Sequence, residues 1–174
     1  MTRTTNARIA GVTFLLYIAA GITSLLLRGR PHATDLLSMI TSFSALVLGV
    51  TLYAITREQD PDVALLALTC RVIEAIPSHE GGAIYFAVGS TLFSWLLLRG
   101  RMIPVALAWL GVVASGLLVV ILPLQRAGLF NVASGWSSSV TWLMWLPMLV
   151  FEVALAVWFL TKGVANHDEA VHAS

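Results

Sequence analysis

The sequence predicts an all-α fold, a polytopic bundle of about six transmembrane helices. Three observations predict it. Of 174 residues, 58% are hydrophobic and only 11% are charged, against roughly 25% charged in a soluble domain that must cover its surface. Mean hydropathy is +0.87. The apolar residues also fall in long continuous runs, not in the alternating stretches of about ten that build a membrane barrel. A hydrocarbon core about 30 Å thick takes roughly 20 apolar residues as a helix, which satisfies every backbone amide within the segment.

The first run, residues 9–27, follows Arg3 and Arg8. At about 19 residues it exceeds the roughly 7–15 of a signal-peptide core. It meets Arg28-Gly29-Arg30-Pro31 where a small-residue cleavage site would stand, so it reads as a retained span. The second run, 36–56, has Asp35 as its expected cap and stops at Arg57-Glu58-Gln59-Asp60. The third, 61–76, opens at Pro61 after Asp60 and ends before Pro77. It is the shortest and contains Arg71 and Glu74. A re-entrant segment with five full crossings therefore stays open beside six. The fourth, 82–98, stops at Arg99-Gly100-Arg101, and the fifth, 102–124, carries Pro104 in its expected first turn. The sixth, 139–161, ends at Lys162-Gly163, a basic residue and a glycine suited to a helix C-terminus. Residues 125–138 read as an extramembrane connection and 165–174 as a disordered polar tail, leaving one domain over 1–164.

With six spans, one side holds Arg3, Arg8, Arg57, Arg99, Arg101 and Lys162, and the other holds Arg28, Arg30 and Arg126. Six against three favours both termini in the cytoplasm. Tyr53, Trp95, Trp136, Trp142 and Trp158 lie near span ends, where amphipathic rings favour the interface. Ser90 with Ser94, and Gly111 with Ser115, are small residues four apart that let helices approach; ordinary packing accounts for them without a dimer. A net charge of +1 offers no basic stripe for phosphates, which excludes nucleic acid as a partner. The bilayer is the first partner, and a homo-oligomer or a membrane partner stays open.

Ionisable groups inside a span cost at least about 2.5–3.5 kcal/mol near its centre, so they face protein or water. Three fall there: Arg71, Glu74 and Glu152. Arg71 and Glu74 share one helical face, where they can pair. Pro147, five residues before Glu152, cannot donate to the carbonyl of Leu143 and is the expected kink. If the three meet, one guanidinium faces two carboxylates, and the set holds one excess negative charge unless a proton or another cation joins it. Two readings stay open: a proton- or solute-binding centre, with transport, and a structural ion cluster in a membrane subunit that fixes helix register.

Familiar membrane chemistries lack their residues. His32, His79, His167 and His172 all fall in loops or the tail, so no paired haem ligands and no intramembrane serine–histidine set are expected. His79-Glu80 is two ligands short of a metal site, and Cys70, alone in an apolar run, reads as a small buried hydrophobe. No HExxH, CxxC or phosphate-cradling loop occurs. No metal, cofactor or catalytic residue is assigned, and an enzyme using Glu152 as base ranks last.

Several segments resemble one family of bacterial multi-span proteins, the domain-of-unknown-function 4386 family. They are Ala7-Arg8-Ile9-Ala10-Gly11 leading to Phe14-Leu15, Arg71-Val72-Ile73-Glu74-Ala75, Ile103-Pro104 with Trp109-Leu110-Gly111, and Pro147 with Phe151-Glu152 and Trp158 through Gly163. The resemblance implies a bundle of about six or seven helices in a bacterial plasma membrane and implies no activity. Typical members are longer around the third and fourth spans, a region compressed here by Pro77-Ser78-His79-Glu80-Gly81-Gly82.

Overall fold

The computed structural model describes residues 2–27, 29–76, 81–129 and 139–164. Among these, six helices account for the fold: α1 (Arg3–Leu26), α2 (Pro31–Thr56), α3 (Pro61–Glu74), α4 (Gly82–Arg99), α5 (Val105–Arg126) and α6 (Ser139–Thr161). The stretch 130–138, the tail 165–174 and the pair His79-Glu80 lie outside the described residues.

Local chemistry sets most boundaries. The Thr2 hydroxyl accepts from the Thr5 amide at 3.2 Å and starts α1 upstream of the apolar run. Asp60 caps α3, its carboxylate accepting from the Val63 amide at 3.1 Å, with Pro61 in the first turn. After α6, Gly163 adopts φ +73°, and the amides of Lys162 and Gly163 both donate to the Trp158 carbonyl. Two expectations are corrected. Asp35 does not cap α2, which begins at Pro31 because the fixed φ of proline suits a first helical turn. Pro104 is not in the first turn of α5 but precedes it, at ψ 133°, outside the helical region.

Each helix packs on its neighbours in sequence and α6 closes onto α1, so the six form a ring, with α2 also touching α4. Directions alternate around it. Arg3 pairs with Glu58, Arg99 pairs with Asp60 at 3.4 Å, Gly100 abuts Gln59 and Gly163 faces Thr4. One end of the ring therefore gathers the starts of α1, α3 and α5 and the ends of α2, α4 and α6. Between helices, small residues bring backbones close. A Cβ on Gly49 would stand 2.9 Å from Cβ of Arg71, and one on Gly89 would stand 3.1 Å from Cβ of Cys70. Ser90, Ser94, Gly111 and Ser115 are buried inside the ring, where they serve packing within this chain.

The outside of the ring is apolar. Leu26 is 79% exposed, Leu143 72% and Phe43 65%, a surface that water would not tolerate and hydrocarbon would. Five helices are long and apolar enough to cross a membrane: α1, α2, α4, α5 and α6. The exception, α3, has 14 residues, which is about 21 Å at 1.5 Å per residue. Measured from the same end, α1 and α2 reach about 36 and 39 Å. The end of α3, beside the start of α4 at Gly82, thus lies short of the far end of the ring.

Candidate functional site

The far half of the ring, beyond the end of α3, contains open space. A half-open cleft of about 410 Å³ lies there, with walls from α1, α2 and α6 and the end of α3 and start of α4 between them. Tyr17, Glu74, Phe86, Trp142, Trp145 and Glu152 contribute its polar and aromatic lining.

Each charged group reaches this region for a reason that lies in its helix. Arg71 stands in the last turn of α3, where a cation complements the helix dipole. Its side chain is only 1% exposed, and its Nη1 donates to Oε2 of Glu74 at 2.6 Å. Its guanidinium also lies over the rings of Phe86, at 5.0 Å, and Tyr17, at 5.9 Å. These two rings are parallel within 4°, with centroids 6.4 Å apart, and Trp145 continues the cluster 5.8 Å from Phe86. The second oxygen of Glu74, Oε1, accepts from the Tyr17 hydroxyl at 2.9 Å. Both oxygens of Glu74 are therefore engaged.

Glu152 is different. It lies on α6, is 5% exposed, and lines the cleft beside Glu74. Arg71 and Glu74 are near enough to act on it electrostatically. Its Oε1 nevertheless has no hydrogen-bond partner, and it forms no ion pair among the described residues. Pro147 sits inside α6, which continues unbroken through it, and removes the donor to the Leu143 carbonyl.

The sequence-predicted residues Arg71, Glu74 and Glu152 thus stand in one region, but only the first two pair. Sequence reasoning missed Tyr17, and with it Phe86 and Trp145. The available signal was position: Tyr17 falls in the middle of its run, not near an end as Tyr53 does. His32 is exposed in the first turn of α2, and Cys70 is buried against α4.

Fold and site together define an integral membrane helix bundle with a buried arginine–glutamate pair below an internal cleft. The chain belongs to the family named for a domain of unknown function, DUF4386, whose profile matches residues 77–163. That stretch holds the motifs around Ile103-Pro104, Trp109-Leu110-Gly111 and Phe151-Glu152, while Ala7–Gly11 and Arg71–Ala75 precede it. No curated protein and no solved structure matches the chain.

Proposed function

We propose that this protein binds and moves a small solute or a proton through the cleft, with Arg71, Glu74 and Glu152 as its polar centre. One observation carries the reading: the buried Glu152 lines the cleft, and its carboxylate has no hydrogen-bond or ion-pair partner among the described residues. A buried acceptor without a donor costs about 1–3 kcal/mol; both oxygens of Glu74 are satisfied by Arg71 and Tyr17, although Nε of Arg71 is itself unpartnered, whereas Glu152 has no such partners. A proton, or a solute that meets the carboxylate from the cleft, supplies a partner. The volume of about 410 Å³ falls in the roughly 300–1,000 Å³ range of small-molecule sites.

Accessibility tests it. In a Cys70→Ala background, Ser42→Cys on the cleft wall is expected to react with a water-soluble methanethiosulfonate, and the outward Val47→Cys on the same helix to stay silent. A Ser42→Cys variant as unreactive as Val47→Cys would sink the reading. The alternative, a structural membrane subunit, would gain if Glu152→Gln failed to accumulate in the membrane. Both termini are assigned to the cytoplasmic side of a bacterial plasma membrane, since Arg3, Arg99 and Lys162 share one end of the ring. A carboxy-terminal green fluorescent protein should then fluoresce and an alkaline phosphatase fusion should be inactive; the converse pair of results reverses the assignment.

A further inference from the structure

We infer that the solute is a lipophilic organic cation, an amine or ammonium group on an apolar body, and that Glu152 is its counter-charge. This rests on the cleft being the binding chamber and names what the chamber takes.

Charge excludes an anion. Among the described residues the one buried cation is Arg71, which does not line the cleft and whose unpartnered Nε has no accessible surface. Its Nη1 is committed to Glu74, and its flat face lies over Phe86 and Tyr17. An anion would instead meet two carboxylates, Glu74 and Glu152. Of these, Glu74 has both oxygens engaged. The unengaged carboxylate is that of Glu152, which lines the cleft on a side chain more than nine-tenths buried and has no hydrogen-bond or ion-pair partner among the described residues. The cleft therefore presents one carboxyl group without a partner.

The remaining lining decides which cation. A metal ion or a strongly hydrated inorganic cation needs several oxygen ligands, and no group of three histidine, cysteine or carboxylate side chains exists among the described residues. A polyol would need many donors and acceptors, yet the hydroxyl of Thr41, on the wall, already donates to the Leu37 carbonyl at 2.8 Å. Ser42 adds one further hydroxyl, and most of the remaining wall is apolar, with Ile18, Ile22, Leu25, Leu146, Leu149 and the indoles of Trp142 and Trp145. Apolar walls hold an apolar body, and indole faces attract a cation within about 6 Å. An amine with an aromatic or alkyl body matches the carboxylate and the walls at once. A lipid acyl chain would match the walls alone and leave the Glu152 carboxyl group without a partner.

The test uses the full chain in lipid nanodiscs, with empty discs subtracting partition into lipid. The probes are 2-naphthylmethylamine, cationic at pH 7, and its neutral counterpart 2-naphthylmethanol. The amine is expected to bind at least tenfold more tightly, a difference of about 1.4 kcal/mol, and to protect Ser42→Cys from the methanethiosulfonate. Glu152→Gln should bring the two probes within twofold of each other, while Glu152→Asp keeps the preference. Equal binding of amine and alcohol to the wild-type protein overturns the cation assignment and leaves the chamber standing; this comparison decides even if Glu152→Gln does not fold. Binding of neither probe, with Ser42→Cys still reactive, also overturns it alone. Binding of neither with Ser42→Cys silent overturns the chamber as well.

Discussion

A guanidinium buried in a membrane helix cannot shed its charge, whereas a carboxylate can do so by taking a proton. That asymmetry makes Glu74 and Glu152 interdependent through Arg71, and a double-mutant cycle measures the link. Glu74→Gln removes the ionic partner that Arg71 holds at 2.6 Å but leaves Glu152 within electrostatic reach. The amide can still accept from Tyr17, so the cost should be about 1–2 kcal/mol, near that of one charged hydrogen bond. Glu152→Gln breaks no bond at Oε1 and should cost about 1 kcal/mol or less. The double variant strands a side chain 1% exposed without any carboxylate, the situation that costs about 3–5 kcal/mol. The pair should therefore lose about 1–3 kcal/mol more than the sum of the singles. Unfolding by sodium dodecyl sulfate in mixed micelles, followed by circular dichroism, gives the three free energies. Additivity within about 0.5 kcal/mol would refute the electrostatic link between Arg71 and Glu152.

Three further outcomes are read in the same assay. Tyr17→Phe removes the donor to Glu74, at 2.9 Å, while keeping the ring under Arg71; it should cost about 1–2 kcal/mol, and no loss would mean the hydroxyl is idle. Gly49→Val forces a side chain to within 2.9 Å of Cβ of Arg71 and 3.0 Å of Leu68 Cδ1, an overpacking worth about 1–3 kcal/mol that a neutral result would contradict. Asp60→Ala removes both the cap on the Val63 amide and the pair with Arg99, for about 0.5–2 kcal/mol. Asp60→Asn keeps the cap and should be nearly neutral, because exposed pairs contribute little; equal losses in the two variants would assign the effect to the pair.

The helices were legible because length and apolarity in a membrane chain are one-dimensional properties. The sixth, 139–161, coincides with α6 from Ser139 to Thr161. The start of α1 was not, because its polar first turn from Arg3 adds nothing to an apolar run and depends on the Thr2 cap. Arg71, Glu74 and Glu152 stood out because charges are costly in such runs. Tyr17 did not, since a tyrosine is cheap there and its partner lies 57 residues away. The unequal roles of the two glutamates are a property of the ring: Tyr17 and Arg71 reach Glu74, and neither reaches Oε1 of Glu152. The cleft was least legible, because Pro77 marks where the third run stops but not how far short of its neighbours it stops.

That shortfall ties the cleft to the backbone. A helix that ends after about 21 Å leaves its last carbonyls inside a hydrocarbon core about 30 Å thick, where lipid tails offer no donors. The Ala75 amide closes back on the Arg71 carbonyl at 3.1 Å, and the Glu74 carbonyl lies against Gly82 at the start of α4, so this end meets protein on one side and the cleft on the other. A carbonyl that faces the cleft there finds donors in water and none in acyl chains. The short third helix and an aqueous chamber are in this sense one structural requirement. Lengthening α3 by a turn, with four alanines inserted after Ala75, should fill the chamber, silence Ser42→Cys toward the methanethiosulfonate and leave the rest of the ring folded. Undiminished reactivity in that variant would separate the two and show that the chamber does not depend on where α3 stops.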